Sequence, residues 1–307
     1  LIVLRERQRA NFVSSEYWDL EALLAAPGGS FKARLNRIGK QVVASGRHFD
    51  AETGLLRDKS VAHLQEGGAK ELAAIARDSK PWTVTRLETT PGTERPPVPF
   101  MTSTLQQEAN RKLRLPSRRT MQIAQALYEG VDLGGERVGL ITYMRTDSLN
   151  LAERALKQAR EVIKDLYGAE YLPKDAVRYK TKAKGAQEAH EAIRPTDLAR
   201  RPEDIRNKLI PEQFALYDLI WKRTIACQMK PAEVLRTNVE VMVEVDGQPL
   251  NFAASGKQIT FPGFLKAYVE GSDDPDAELD SRETVLPEMR EGMEVQAEKV
   301  QPQGHTT

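Results

Sequence analysis

Apolar and polar residues alternate along two early stretches of the chain. Trp18, Leu20, Ala22 and Leu24 recur at every second position, Pro27-Gly28-Gly29 interrupts them, and Phe31, Ala33 and Leu35 resume the same period. A period of two around a Gly-rich break predicts a β-hairpin. Ahead of it, Leu1 to Phe12 passes from apolar to charged like the tail of a helix, without a cap, and reads as the interior of a longer protein. Beyond it, Gly68 to Ser79 carries Leu72, Ile75 and Ala76 at helical spacing, and Pro81 to Thr89 favours a strand. Pro91-Gly92, Pro96-Pro97 and Pro99 then impose an extended connector.

Past residue 100 the period becomes helical. Ser103-x-x-Gln106 has the form of a capping box opening a helix through about Leu113, and Ser117 caps a second that runs to Tyr128 and stops at Gly130. Asn150-x-x-Glu153 caps a third, whose stripe is Leu151, Ala155, Ala159, Val162, Ile163 and Leu166, with Gly168 ending it. Pro211 begins a fourth, with Phe214, Tyr217, Ile220, Trp221 and Ile225 inward and Pro231 closing it. Val239, Val241, Val243 and Val245 return to period two, Asp246-Gly247 turns, and Glu294 to Val300 is a last strand. The Lys-rich stretch 179–185 and the acidic stretch 273–280 read as loops. These changes of period predict an α+β, multidomain fold. A discontinuous β-rich arch, residues 31–102 and 231–307, holds a mainly helical domain over 103–230, joined to it by two chain crossings.

Composition narrows the class. With 40% hydrophobic residues over 307 positions, the chain can bury two or three cores. No apolar run approaches the roughly 20 residues of a membrane span, and no secretory leader is legible, so a cytoplasmic location is expected. A single cysteine, Cys227, excludes an internal disulfide or a Cys-rich zinc site and reads as a core thiol. Net charge is only +1, so any affinity for nucleic acid must come from local patches. One candidate is Arg111, Lys112, Arg114, Arg118 and Arg119 around Pro116, at two helix ends suited either to phosphates or to plain solvation.

Candidate chemistry centres on Gly139-Leu140-Ile141-Thr142-Tyr143-Met144-Arg145-Thr146-Asp147-Ser148. Leu140 to Tyr143 favours a short strand, so Tyr143 and Arg145 should share a face. A phenol beside a guanidinium suits attack on a phosphodiester: the phenol is the nucleophile and the Arg fork neutralises phosphate charge. Arginine cannot be the base. A free phenol, with a pKa of about 10, is about 0.1% ionised near neutrality, a deficit of roughly 4 kcal/mol that another group must help to meet. Taken alone, Tyr-x-Arg more often describes a packed strand aromatic beside a solvated cation. His190-Glu191 has the start of a zinc-protease helix, but Arg194 stands where the second His belongs, which rejects zinc.

The decapeptide, with Ser103-Thr104-Leu105-Gln106-Gln107, Leu127-Tyr128-Glu129-Gly130 and His190-Glu191-Ala192-Ile193-Arg194-Pro195-Thr196 in that order, resembles bacterial type IA DNA topoisomerases along essentially the whole chain. The resemblance implies the strand-passage architecture of that family, with residues 1–30 part of its base. It implies that Tyr143 attacks DNA and keeps the 5′ phosphate, that Arg145 stabilises the phosphate in the transition state, and that His190 contacts a phosphate or relays a proton. Arg194, Arg114, Arg118, Arg119 and Asp147 would meet the DNA. Single-stranded and negatively supercoiled DNA would be the substrate, relaxed without ATP by a monomer at the bacterial nucleoid. Mg²⁺ would be held by an N-terminal Toprim domain that, with the C-terminal part of the base, is not in this chain, so the isolated chain should be inactive. Two other readings compete. A catalytically silent single-strand-binding clamp would need more than 6% aromatic residues as stacking platforms. A tyrosine recombinase would place its Arg-His-Arg set ahead of the tyrosine, whereas Tyr143 precedes His190 and Arg194.

Overall fold

A computed structural model describes residues 1–179, 191–268 and 283–307; His190, most of the Lys-rich stretch and the acidic stretch 273–280 lie outside the described residues. From the N-terminus come α1 (Ile2–Asn11), β1 (Glu16–Ala26), β2 (Gly29–Ile38), β3 (Gln41–Val42), α2 (Glu66–Asp78) and β4 (Trp82–Glu94). There follow α3 (Thr102–Leu113), α4 (Ser117–Glu129), the short β5 (Val131–Asp132) and β6 (Arg137–Val138), α5 (Glu153–Leu166), α6 (Pro202–Ile205) and α7 (Pro211–Ala226). The chain then returns to strands: β7 (Ala232–Val245), β8 (Gln248–Phe261) and β9 (Glu294–Thr306). Segregated helices and strands with antiparallel pairing make this an α+β fold in two compact units.

The first unit comprises Leu1–Pro91, Leu235–Gln258 and Thr284–Thr307. Its strands run in the order β1-β9-β4-β7-β8-β2-β3, and β1 also pairs with β2, so the ladder closes on itself and leaves few open edges. The predicted hairpin is present, with Leu24 opposite Phe31 and Ala22 opposite Ala33. Leu20, Ala22, Leu24, Phe31, Ala33 and Leu35 all face the core, where Trp82, Val241, Val243 and Phe252 meet them. Helix α2 turns Ala69, Ala73 and Ala76 inward, while Ile75, expected on that face, is exposed: small side chains let the helix lie close to the sheet. Strand β9 extends past Val300 and pairs with β1 as far as Thr306 opposite Glu16. Gly304 permits this, because a Cβ there would stand 2.9 Å from the Trp18 indole.

The second unit comprises Gly92–Val234 and Ile259–Glu283. Residues 259–268 join it, although the sequence reading closed the helical block at 230, because Phe264, Leu265 and Tyr268 fill its core beside Leu105, Leu127, Ile163, Ile220 and Trp221. The chain therefore passes between the units four times instead of twice. Polar groups are sealed into this core as well. The Tyr268 hydroxyl donates to Glu108 Oε1 at 2.8 Å, Arg223 Nη1 donates to Tyr268 Oη at 3.1 Å, and Arg223 Nε donates to the Val98 carbonyl at 2.7 Å. Arg223, on the face of α7 expected to be polar, is tolerated there because its donors find these acceptors.

Cys227, just past α7, is fully buried, as expected of a core thiol, and burial pushes its pKa up to about 12. The native fold thus retains a proton that the unfolded chain gives up above about pH 8.5. The thiol's contribution to stability is complete below that pH and drains away as the pH climbs towards 12. Cys227 should stay silent to an aromatic disulfide reagent at pH 8 and react fully in denaturant. Prompt reaction of the native protein would contradict this burial.

Candidate active site around Tyr143

The tyrosine segment is not a strand: the chain bends at Thr142, Met144 and Arg145. Ile141 forms a single antiparallel bridge with Pro195, flanked by Thr142 N–H to the Arg194 carbonyl at 2.9 Å and Thr196 N–H to the Leu140 carbonyl at 3.0 Å. The next donors on either side bond elsewhere, Arg194 N–H to Thr142 Oγ1 at 3.0 Å and Leu140 N–H to the Leu127 carbonyl at 2.8 Å, which explains why the strand predicted from Leu140 to Tyr143 stops at one pairing. The period of two survives in the burial pattern. Met144, Thr146 and Ser148 are buried, whereas Tyr143, Arg145 and Asp147 are exposed, so exposure alternates as a period of two requires.

Threonine hydroxyls fix this segment from both sides. Thr142 Oγ1 donates to the Ala192 carbonyl at 2.7 Å and accepts the Arg194 N–H at 3.0 Å. On the other side, Thr102 Oγ1 donates to the Met144 carbonyl at 2.8 Å and accepts the Thr146 N–H at 2.9 Å, while Thr102 N–H reaches the Thr146 carbonyl at 2.9 Å. Arg145 is thereby held between two anchored neighbours. This engagement explains why α3 begins at Thr102, one residue ahead of the expected capping box. It is Thr104 Oγ1, not a Ser103 cap, that accepts the Met101 N–H at 3.0 Å. Asn150 likewise does not cap α5: its carbonyl accepts the Ala192 N–H at 2.8 Å, and Ala152 precedes the helix. Thr102 and Thr142 were missed from the sequence because their partners lie 42 to 52 residues away.

A test of this clamp is Thr102→Val, which keeps the shape and deletes the hydroxyl. It should destabilise the second unit by about 2 kcal/mol, since buried groups lose their partner, and Thr102→Ser should restore most of that. Denaturant midpoints of the two variants would measure it; a Val variant within about 0.5 kcal/mol of the parent leaves the clamp without energetic weight.

The other candidate cations are placed unequally. Arg194 is mostly buried, its Nε donating to Glu191 Oε2 at 2.7 Å and Nη1 to the Pro195 carbonyl at 2.8 Å. Arg119 is bound by Glu212, Nε to Oε2 at 3.1 Å, and this partner raises its pKa further. Arg114, in the left-handed conformation after α3 (φ 56°), and Arg118, in the first turn of α4, are exposed. Twelve residues of α3 span roughly 18 Å. Since α3 starts at the Thr102 clamp and α4 brings Tyr128 back to Tyr143, the trio Arg114, Arg118 and Arg119 stands at the far end of this helical hairpin. Among the described residues, no three His, Cys, Asp or Glu side chains converge as a metal site, so these residues do not fit a bound Mg²⁺. Among the described residues, no helix is long and apolar enough to cross a membrane.

The geometry is that of a presented tyrosine: a half-exposed phenol on a braced backbone, with exposed Arg145 two residues on. The sequence profile of the DNA topoisomerase family matches residues 1–307. The chain belongs to that family, the one its tyrosine segment resembles. It is similar to DNA topoisomerase 1 of Synechococcus elongatus, 47% identical over the whole chain and 33% of that protein. DNA topoisomerase 1 of Streptomyces coelicolor is also 47% identical, again over the whole chain and 32% of its own length. Among solved structures, full-length topoisomerase I of Thermotoga maritima superposes with a TM-score of 0.70 at 28% identity, covering 99% of this chain and 42% of that one. The chain thus spans about a third of the length of the curated relatives it matches.

Proposed function

We infer that this chain is the strand-passage part of a type IA DNA topoisomerase, in which Tyr143 cuts one DNA strand and holds it through a 5′-phosphotyrosine. The observation that carries the reading is the exposed Tyr143–Arg145–Asp147 face on a backbone anchored by Thr102 and Thr142. In the reaction the phenolic oxygen bonds to phosphorus, the bond to the 3′ oxygen breaks, and the 3′ hydroxyl leaves carrying a proton while the phenol gives one up. Religation is the reverse, so no ATP is consumed. Braced reactants lower the barrier by pre-set orientation, and Arg145 offers a fork to the phosphate as charge develops. Arg194 sits under the same segment, and a phosphate would recruit it only by displacing Glu191. His190, from the segment leading into Glu191, is the proposed phosphate contact or proton relay. The Mg²⁺ would be held by carboxylates elsewhere in the complete enzyme. Negatively supercoiled and single-stranded DNA are the proposed substrates of a monomer acting at the nucleoid, with Arg114, Arg118 and Asp147 as further contacts.

Arg145→Lys tests the reading. Lysine keeps the charge and loses the planar fork, so cleavage in the complete enzyme should slow at least tenfold while single-strand affinity changes little. Cleavage within about threefold of the parent, roughly 0.7 kcal/mol, would remove Arg145 from the chemistry.

A further inference from the structure

The ring of Tyr143 has an aromatic neighbour that the reaction as described does not use. Tyr128, in the last turn of α4, lies with its ring centroid 5.3 Å from that of Tyr143 and the planes at 64°, an edge-to-face pair. Both rings are partly open to solvent, at 41% and 45%. The backbones beneath them are locked together. Leu140 N–H donates to the Leu127 carbonyl at 2.8 Å, and a Cβ on Gly139 would stand 2.7 Å from the Tyr128 carbonyl oxygen. Only glycine at 139 lets the end of α4 approach this closely. Leu127, Leu140 and Ile141, close to the two tyrosines in sequence, are buried in one core, which anchors the backbones that carry the rings.

We propose that Tyr128 is a positioning residue for the nucleophile, its ring holding the Tyr143 phenol in the orientation from which it attacks. A half-exposed tyrosine without a neighbour samples several staggered side-chain wells, and only one of them aims the oxygen at a given phosphate. An edge-to-face partner biases that distribution, and because the contact is made by ring edges and faces, it needs the aromatic ring and not the Tyr128 hydroxyl. The proposal rests on Tyr143 being the nucleophile. It differs from a stacking role, in which the open face of Tyr128 would carry a DNA base and so set affinity.

The experiment uses the complete enzyme with a saturating single-stranded oligonucleotide, measuring the single-turnover cleavage rate and, separately, the dissociation constant by fluorescence anisotropy. Tyr128→Ala and the bulk-retaining Tyr128→Leu should both cleave about fivefold to tenfold more slowly with affinity within twofold of the parent. Tyr128→Phe should return the rate to within twofold. Parental rates for Ala and Leu would overturn the proposal. So would a loss of affinity matching the loss of rate, which marks base stacking, or a Phe variant as slow as Ala, which marks chemistry by the hydroxyl. Tyr143→Phe is run alongside: an adduct that survives it overturns the nucleophile reading itself, whereas its loss together with any of the former results overturns the role of Tyr128 alone.

Discussion

Tyr143→Phe in the complete enzyme is expected to abolish covalent capture of DNA, with cleavage at least 10³-fold down, about 4 kcal/mol in barrier, and single-strand affinity within about twofold. One oxygen is deleted, the atom proposed to bond to phosphorus. The backbone clamp does not depend on it: Thr142 and Thr102 hold residues 142, 144 and 146 through main-chain groups and their own hydroxyls. The cations are likewise unchanged, so the electrostatic part of binding persists. Filter-bound adduct and anisotropy titrations on the same preparation separate the two effects. A variant that loses affinity in parallel with cleavage would place Tyr143 in binding and not in the bond-making step.

The second large effect concerns the 307-residue chain by itself. Incubated with supercoiled DNA and Mg²⁺, it should leave the DNA unrelaxed, with activity at least 10³-fold below the complete enzyme. The described residues offer the proposed nucleophile and Arg145, while no group of three acidic, His or Cys side chains among them converges to hold a metal. The chain also accounts for about a third of its relatives' length. Weak, salt-sensitive retention of single strands should remain, through exposed Arg114, Arg118 and Arg145. Arg119 and Arg194 should add little to it, since each is already paired with a carboxylate. Gel assays of relaxation and of oligonucleotide retention at two salt concentrations would check this. Relaxation by the chain alone would show that the full acid–base and metal machinery lies within it.

What the sequence made legible was local. The hairpin of β1 and β2, the start of α7 at Pro211 and the Asp246-Gly247 turn, with φ of 50° and 75°, follow from neighbouring residues and a two-residue turn that demands positive φ. The common exposure of Tyr143 and Arg145 was legible for the same reason, since a two-residue period needs no distant partner. What was hidden depends on contacts far along the chain. Ser103 does not cap α3, because the helix starts at Thr102, whose hydroxyl is held by Met144 and Thr146 across more than 40 residues. Arg119 looked like a free cation until Glu212, 93 residues on, came beside it. The stretch around Tyr268 read as part of the returning strands, yet Glu108 and Arg223 draw it into the helical core. No spacing rule carries such information, because side-chain pairing across a fold is set by packing.

The most direct measurement follows the DNA ends. The complete enzyme is quenched during cleavage of a single-stranded oligonucleotide labelled at either its 3′ or its 5′ end, then digested, and the adducted peptide is sequenced by mass spectrometry. The account predicts that the 3′ label stays with the protein, joined through a 5′ phosphate to Tyr143, while the 5′-labelled piece is released with a free 3′ hydroxyl. Retention of the 5′ label, or an adduct on any residue other than Tyr143, would contradict it.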